Sequence, residues 1–339
     1  MSAPTLPGGR PADDVPDDAL PGGTTAPAPF VAAAPRPVPP TVAPSSGSSG
    51  SAVATTDRNG RGAGRRRWVQ ALTVAALTVC AVVFLYPFVW LVSASFKPRS
   101  QVFDNALFPR TFTLDNYVAI WQSAPMALWI ANTLLVTLLA TAAVTITSAM
   151  VAWGFAHFRF RGRNALFGLV LATMMLPGAV TMIPTFMIWN ALGQSGTLTP
   201  LWAGNLFGSA FYVFLLRQFF LGLPRDTFEA AKIDGAGEFR LFWSVALPLC
   251  KPALVVTALF EAQASWTDLM KPLIYLRDST TFTIPRGLKA MVDQFGFGGE
   301  AHWELIVTAS VITTIPMIVL FFVGQKQFVE GIATTGAKG

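Results

Sequence analysis

Cysteine, histidine and charge are scarce in this chain. Its 339 residues include two cysteines and two histidines, and only 12% are charged. Cys80 and Cys250 lie inside or at the start of apolar runs, so a disulfide framework is not expected. His157 and His302 are far apart and have no cysteine nearby, which excludes the usual zinc spacings and leaves no metal site to expect. The stretch from Gly331 to Lys338 comes close to a phosphate-binding loop, but Ala337 displaces the lysine and no Ser or Thr follows it. It is therefore not expected to bind nucleotide. There is no Gly-x-Ser-x-Gly elbow and no paired carboxylate suited to glycoside chemistry, so no catalytic residue and no cofactor-binding residue is assigned.

Apolar residues, by contrast, make up 53% of the chain, too many for an ordinary soluble domain. The net charge of +6 sits at the ends of apolar runs rather than along one face, so it points to membrane orientation and not to nucleic acid. Residues 1–66, rich in Pro, Ala, Gly and Ser, cannot bury enough surface to order themselves and read as a disordered cytoplasmic tail. Their acidic start and missing apolar core exclude a signal peptide.

After Arg61, Arg65, Arg66 and Arg67, the run 68–94 is long enough for a first membrane helix, with Pro87 as a kink. An external loop follows over 95–126, and then a core of five further spans over 127–324. These spans run about 128–156, 165–190, 201–220, 247–266 and 303–323. The basic connection His157, Arg159, Arg161 and Arg163, the later Arg217 and Arg225, and the final segment 325–339 all fall on one side. The basic residues place both termini in the cytoplasm of a multi-pass protein of the cell membrane. The third span carries Pro177-Gly178 and Pro184 and reads as either a pathway-lining helix or a packing kink. Glu261 lies within the fifth span and is by default a site hypothesis, set against a plain hydrogen-bonding role inside the bundle. Trp129, Trp189 and Trp266 fit interfacial anchors better than sugar-stacking platforms.

One polar island stands between these runs. In 224–252, Asp226 is placed to cap a helix that contains Glu229, Asp234-Gly235 reads as a turn, and a second helical segment resumes at Glu238. Glu229-Ala230-Ala231, Asp234-Gly235-Ala236, Phe242, Leu247-Pro248 and Pro252 together resemble the EAA loop of ATP-binding-cassette (ABC) importer permeases. The ending with Phe328, Glu330 and Gly331 resembles that of maltose-type carbohydrate permeases. Trp266 to Leu276 resembles the family's Trp-Asn-x-x-x-x-Pro-Leu element, with Asp268 in place of Asn.

The resemblance implies an all-α membrane protein with the type I ABC importer permease fold, six transmembrane helices and a cytoplasmic EAA coupling helix. Glu229, Ala230, Ala231, Asp234, Gly235 and Ala236 would then couple to an ATPase. Phe328, Glu330 and Gly331 would lie near that ATPase, and Glu261, Trp266 and Asp268 would lie along a substrate pathway. The implied partners are a second homologous permease, two ATPase subunits that bind ATP and Mg, an extracellular solute-binding protein, membrane lipid and a sugar. No nucleic-acid partner is expected. A related solute such as glycerol phosphate, or an ion-coupled secondary transporter using Glu261, are the alternatives.

Overall fold

A computed structural model describes residues 59–104, 106–296 and 302–336, with side chains over 68–104, 106–296 and 302–325. The expected disordered tail, 1–66, lies outside the described residues up to 58, and its last part, 59–66, is helical instead. The first helix, α1, spans Asn59–Ser95 and keeps Pro87 inside it. Its membrane-length stretch Trp68–Ser95 has none of its most apolar window buried within the chain.

The carbonyls at the end of α1 are received by the loop that follows. Asn116, in α2 (Asp115–Ser123), donates Nδ2 to Ser95 O at 2.9 Å and to Lys97 O at 2.8 Å. Lys97 itself is fully buried and donates Nζ to Asp104 Oδ1 at 2.8 Å and Ala106 O at 2.6 Å. A buried ammonium of this kind is tolerated only because it is both paired and hydrogen-bonded. The external loop expected over 95–126 is thus a folded strap with its own helix.

The central element is α3, Met126–His157, within two residues of the expected span. Three of the expected spans are broken rather than continuous. The third divides into α4 (Arg163–Thr173) and α5 (Gly178–Ala191), bent by 96°. Pro177 lacks an N–H and forces Leu176 out of helical conformation, so the chain stops and restarts rather than kinking. The fourth divides into α6 (Thr199–Trp202), a 3₁₀ turn over Ala203–Phe207, and α7 (Ala210–Leu221). Gly208, with φ of 76°, makes the corner. The backbone groups freed at this break are met by α3: Ser148 Oγ accepts from Ser209 N at 3.0 Å, and Thr147 Oγ1 donates to Asn205 O at 3.2 Å.

Next come α8 (Arg225–Ile233), α9 (Glu238–Arg240), a π-helical turn over Leu241–Ala246 and α10 (Leu247–Leu249). Pro248 cannot donate to the carbonyl of Ser244, and its ring presses on that carbonyl, so the wide π turn just before it relieves the clash. The fifth span is α11 (Lys251–Thr267), with Pro252 in its first turn, set at 77° to the segment Glu238–Leu249. Then α12 (Met270–Tyr275) and α13 (Ile284–Phe295) form between the fifth and last expected spans. The last helix, α14, runs Trp303–Gly336 and continues into the expected tail.

Among the described residues, four helices are long and apolar enough to cross a membrane, or up to six if each bent pair counts as one span. Helix α3 packs against α7 and α11, and α11 packs against α14. Two cores form along it. One gathers Trp129, Trp266, Tyr275, Phe282 and Ile284, and the other gathers Trp153, Phe220, Phe228, Leu241, Phe242 and Cys250.

Candidate functional site

The polar island folds into an elbow. Helix α8 begins at Arg225 with Pro224 as its N-cap residue and no side-chain cap, so Asp226 lies in the first turn and is not the cap the sequence suggested. Asp226 still faces the helix dipole favourably. The C-terminal end closes as a Schellman motif: Ala236 N donates to Ala231 O at 3.0 Å and Gly235 N to Lys232 O at 3.0 Å. Gly235 adopts φ of 80°, which a side chain would strain. Ala231 and Ala236, on either side of the turn, both pack on the Trp153 core.

Phe228 is the one side chain of α8 that is buried. Its ring lies 5.4 Å from that of Trp153 and 6.1 Å from that of His157. Glu238 ties the two arms of the elbow together, accepting from Lys232 Nζ at 3.0 Å and from His157 Nε2 at 2.9 Å. The hydrogen bond from Lys232, followed by the charges of His157 and Lys232, holds the Glu238 carboxyl below the usual carboxylate range. Glu229, Ala230, Asp234 and Gly235 remain exposed, and Ile233 and Phe239 are 87% and 75% exposed. The elbow therefore presents a polar and apolar outer surface while Phe228 from its first arm and Phe242 from its second seat it on the bundle.

A second locus lies within the spans. Glu261, half-buried on α11, accepts from Asn205 Nδ2 at 2.5 Å and from Ser265 Oγ at 3.1 Å. Asn205 belongs to the 3₁₀ break, which the sequence did not reveal, so this pairing was not foreseen. Gln263 and Ala264, beside Glu261, are exposed. Trp266 is buried and donates Nε1 to Thr313 O at 3.2 Å. Asp268 ends α11, accepting from Lys271 N at 3.3 Å, with Lys271 Nζ at 3.7 Å. These three residues are not gathered at one point: Trp266 is inside the core, and Asp268 shapes the turn into α12. Phe328, Glu330 and Gly331 fall on α14, where side chains lie outside the described residues. Among the described residues no cluster of His, Cys, Asp and Glu could hold a metal ion.

This arrangement of broken apolar helices with a polar elbow is that of a membrane transport subunit. Residues 145–333 match the family described as the binding-protein-dependent transport system inner membrane component, and the chain belongs to that family. It is similar to the arabinooligosaccharides transport system permease protein of Halalkalibacterium halodurans, 31% identical over 80% of this chain and 96% of that one. The corresponding permease of Bacillus subtilis is 32% identical over 76% and 92%. The sn-glycerol-3-phosphate transport system permease protein of Yersinia enterocolitica is 31% identical over 79% and 97%. In fold, the chain is similar to a bacterial ABC transporter involved in the import of the acidic polysaccharide alginate. That match has a TM-score of 0.69 at 24% identity and covers 77% of this chain and 96% of that one. The protein is an importer permease subunit, a multi-pass membrane protein.

Proposed function

We propose that this subunit carries a sugar or oligosaccharide across the cell membrane as one half of a paired permease, with both termini in the cytoplasm. A second permease of the same kind completes the pathway, two ATPase subunits bind ATP and Mg, and an external binding protein delivers the cargo. The reading rests above all on the elbow. Its Schellman turn at Gly235 and its seated aromatics, Phe228 and Phe242, make a rigid knob on an aromatic base. A knob of this kind transmits displacement from a separate motor, as alternating access requires. Glu229, Ala230, Ala231, Asp234, Gly235 and Ala236 are the contact surface in this reading, and the segment with Phe328, Glu330 and Gly331 lies near the same motor.

Glu261 lines the pathway. Broken backbone at membrane depth is tolerated where it meets protein or water, and the break at Asn205, bonded to Glu261, fits such a place. Asn205 and Ser265 hold the carboxylate as a hydrogen-bond acceptor, which suits a hydroxyl-rich cargo. Trp266 and Asp268 brace the same helix end. Relatives named for oligosaccharide transport support the cargo class, while the glycerol-phosphate relative keeps a sugar-related solute as the second reading.

The test is reconstitution. An ATPase and a second permease should co-purify with this chain, and G235V or E229K should leave ATP hydrolysis running while labelled-sugar uptake falls at least tenfold. Sugar accumulation by this chain alone on an imposed ion gradient would refute the proposal.

A further inference from the structure

A cleft of about 430 Å³ opens between the connection after α3 and the elbow, lined by His157, Arg159, Arg163, Arg225, Glu229 and Lys232 among others. Its charges do not balance. Lys232 and His157 are engaged by Glu238. That leaves three guanidinium groups, those of Arg159, Arg163 and Arg225, against the Glu229 carboxylate. Arg163 uses one donor on Phe158 O at 3.3 Å, whereas the guanidinium groups of Arg159 and Arg225 make no hydrogen bond among the described residues. Arg217 lies on α7 one turn before Phe220 and Leu221, which also line the cleft. Outside the lining itself, its buried Nε has no hydrogen-bond partner and its guanidinium sits 4.2 Å over the Phe167 ring.

The cleft also has an apolar flank. Leu221 lines it at 50% exposure, Phe160 lies with Arg159 and Arg163 at 44%, and Leu166 and Leu169 of α4, which opens at Arg163, are 49% and 63% exposed. A convergent set of guanidinium forks is the geometry that binds phosphate oxygens. Beside exposed hydrocarbon, basic pockets at the cytoplasmic ends of spans recruit acidic headgroups. We infer that the cleft seats the phosphate of an anionic phospholipid from the inner leaflet, whose acyl chains lie along α4. Because Arg225 opens α8 and Glu229 and Lys232 share the cleft, the bound lipid fastens the elbow to the connection after α3 and restrains its movement. The inference rests on the reading that this connection is cytoplasmic.

The experiment uses the assembled complex in nanodiscs of phosphatidylcholine with or without phosphatidylglycerol, read by native mass spectrometry and by hydrolysis rate. Phosphatidylglycerol should stay bound through detergent exchange and change the hydrolysis rate. R159Q/R163Q should weaken its retention by about ten- to thirtyfold, the loss expected for two surface guanidiniums. R159K/R163K should keep most of it, and R277Q, far along the chain, all of it. Equal retention by R159Q/R163Q and the unaltered complex overturns the inference, as does an equal loss in R277Q. Displacement of the lipid by millimolar inorganic phosphate would assign the cleft to a soluble anion and overturn the lipid proposal. Labelling of R161C by an impermeant maleimide checks the orientation separately. Reaction only after permeabilisation keeps the cytoplasmic reading whatever the lipid result, and reaction in intact cells overturns both.

Discussion

Trp129 and Trp153 sit near opposite ends of α3, 4% and 5% exposed, yet they are held by opposite means. At the Trp129 end, polar bonds add to the packing on Phe282. The Trp129 indole donates Nε1 to Ser279 O at 2.9 Å, Asn132 donates to Thr280 O and Phe282 O at 3.0 Å, and Ile284 N donates to Thr133 Oγ1 at 2.8 Å. At the Trp153 end the ring is wrapped by His157 at 4.2 Å, by Phe220 and Phe228 at 5.4 Å and by Phe242 at 6.2 Å, and its Nε1 has no partner. Hydrogen bonds are directional and define one position, while stacked rings exchange offset and tilted packings at little cost. One end of α3 is thus a clamp and the other a joint, and the joint is where the elbow sits.

The largest test of this contrast is Trp153→Ala. Emptying the centre of the joint should cost about 3–5 kcal/mol and release the elbow, seen as a drop in Tm together with loss of uptake. Trp153→Phe, which removes no hydrogen bond, should recover most of both. At the clamp, a Cβ on Gly287 would stand 2.2 Å from the Trp129 ring. The bonded indole cannot move aside, so Gly287→Val should cost on the order of 3 kcal/mol and lower the Tm without uncoupling whatever complex survives. A wild-type Tm for that variant would show the clamp to be soft.

A finer comparison lies within α3 itself. Thr133 accepts a buried N–H, whereas the Thr137 hydroxyl, one turn on, is buried with no partner. Thr133→Val should therefore cost about 1–3 kcal/mol and Thr137→Val roughly nothing. Equal losses in thermal unfolding would sink the distinction.

The smallest effect is that of pH. The Glu238 carboxyl is lowered in the folded chain, so its stabilising contribution is full above the ordinary carboxylate range and is lost as pH falls through the lowered value. With its side chain 48% exposed, the loss should stay under about 1 kcal/mol. Acid should loosen hydrogen exchange across α8 and α9, and Glu238→Gln should remove that acid dependence.

Much of this architecture could be read from the chain. The apolar length of α3 and the basic cluster after it placed it within two residues, and Asp234-Gly235 placed the turn between α8 and α9. The parts that were not legible depend on partners remote in sequence. Asn205 meets Glu261, His157 meets Glu238 and Asn132 meets Thr280, and no local pattern brings such pairs together. The breaks at Pro177 and Gly208 also eluded hydropathy, which records how apolar a run is and not whether its backbone continues. Asp226 missed its capping role because Pro224, already extended before Arg225, took the boundary position.

The bare flank of α1 bears on how the subunit tolerates change. Along the Trp68–Ser95 stretch, no residue of its most apolar window is enclosed by the rest of the chain, so within the isolated subunit a side chain there is judged by polarity alone, and leucine, valine or phenylalanine serve equally well. On α3, where Ala140 and Ala152 have no exposed surface at all, each position also has a fixed volume. Random mutagenesis of the lone subunit should therefore leave α1 drifting freely among apolar residues while the centre of α3 stays nearly invariant.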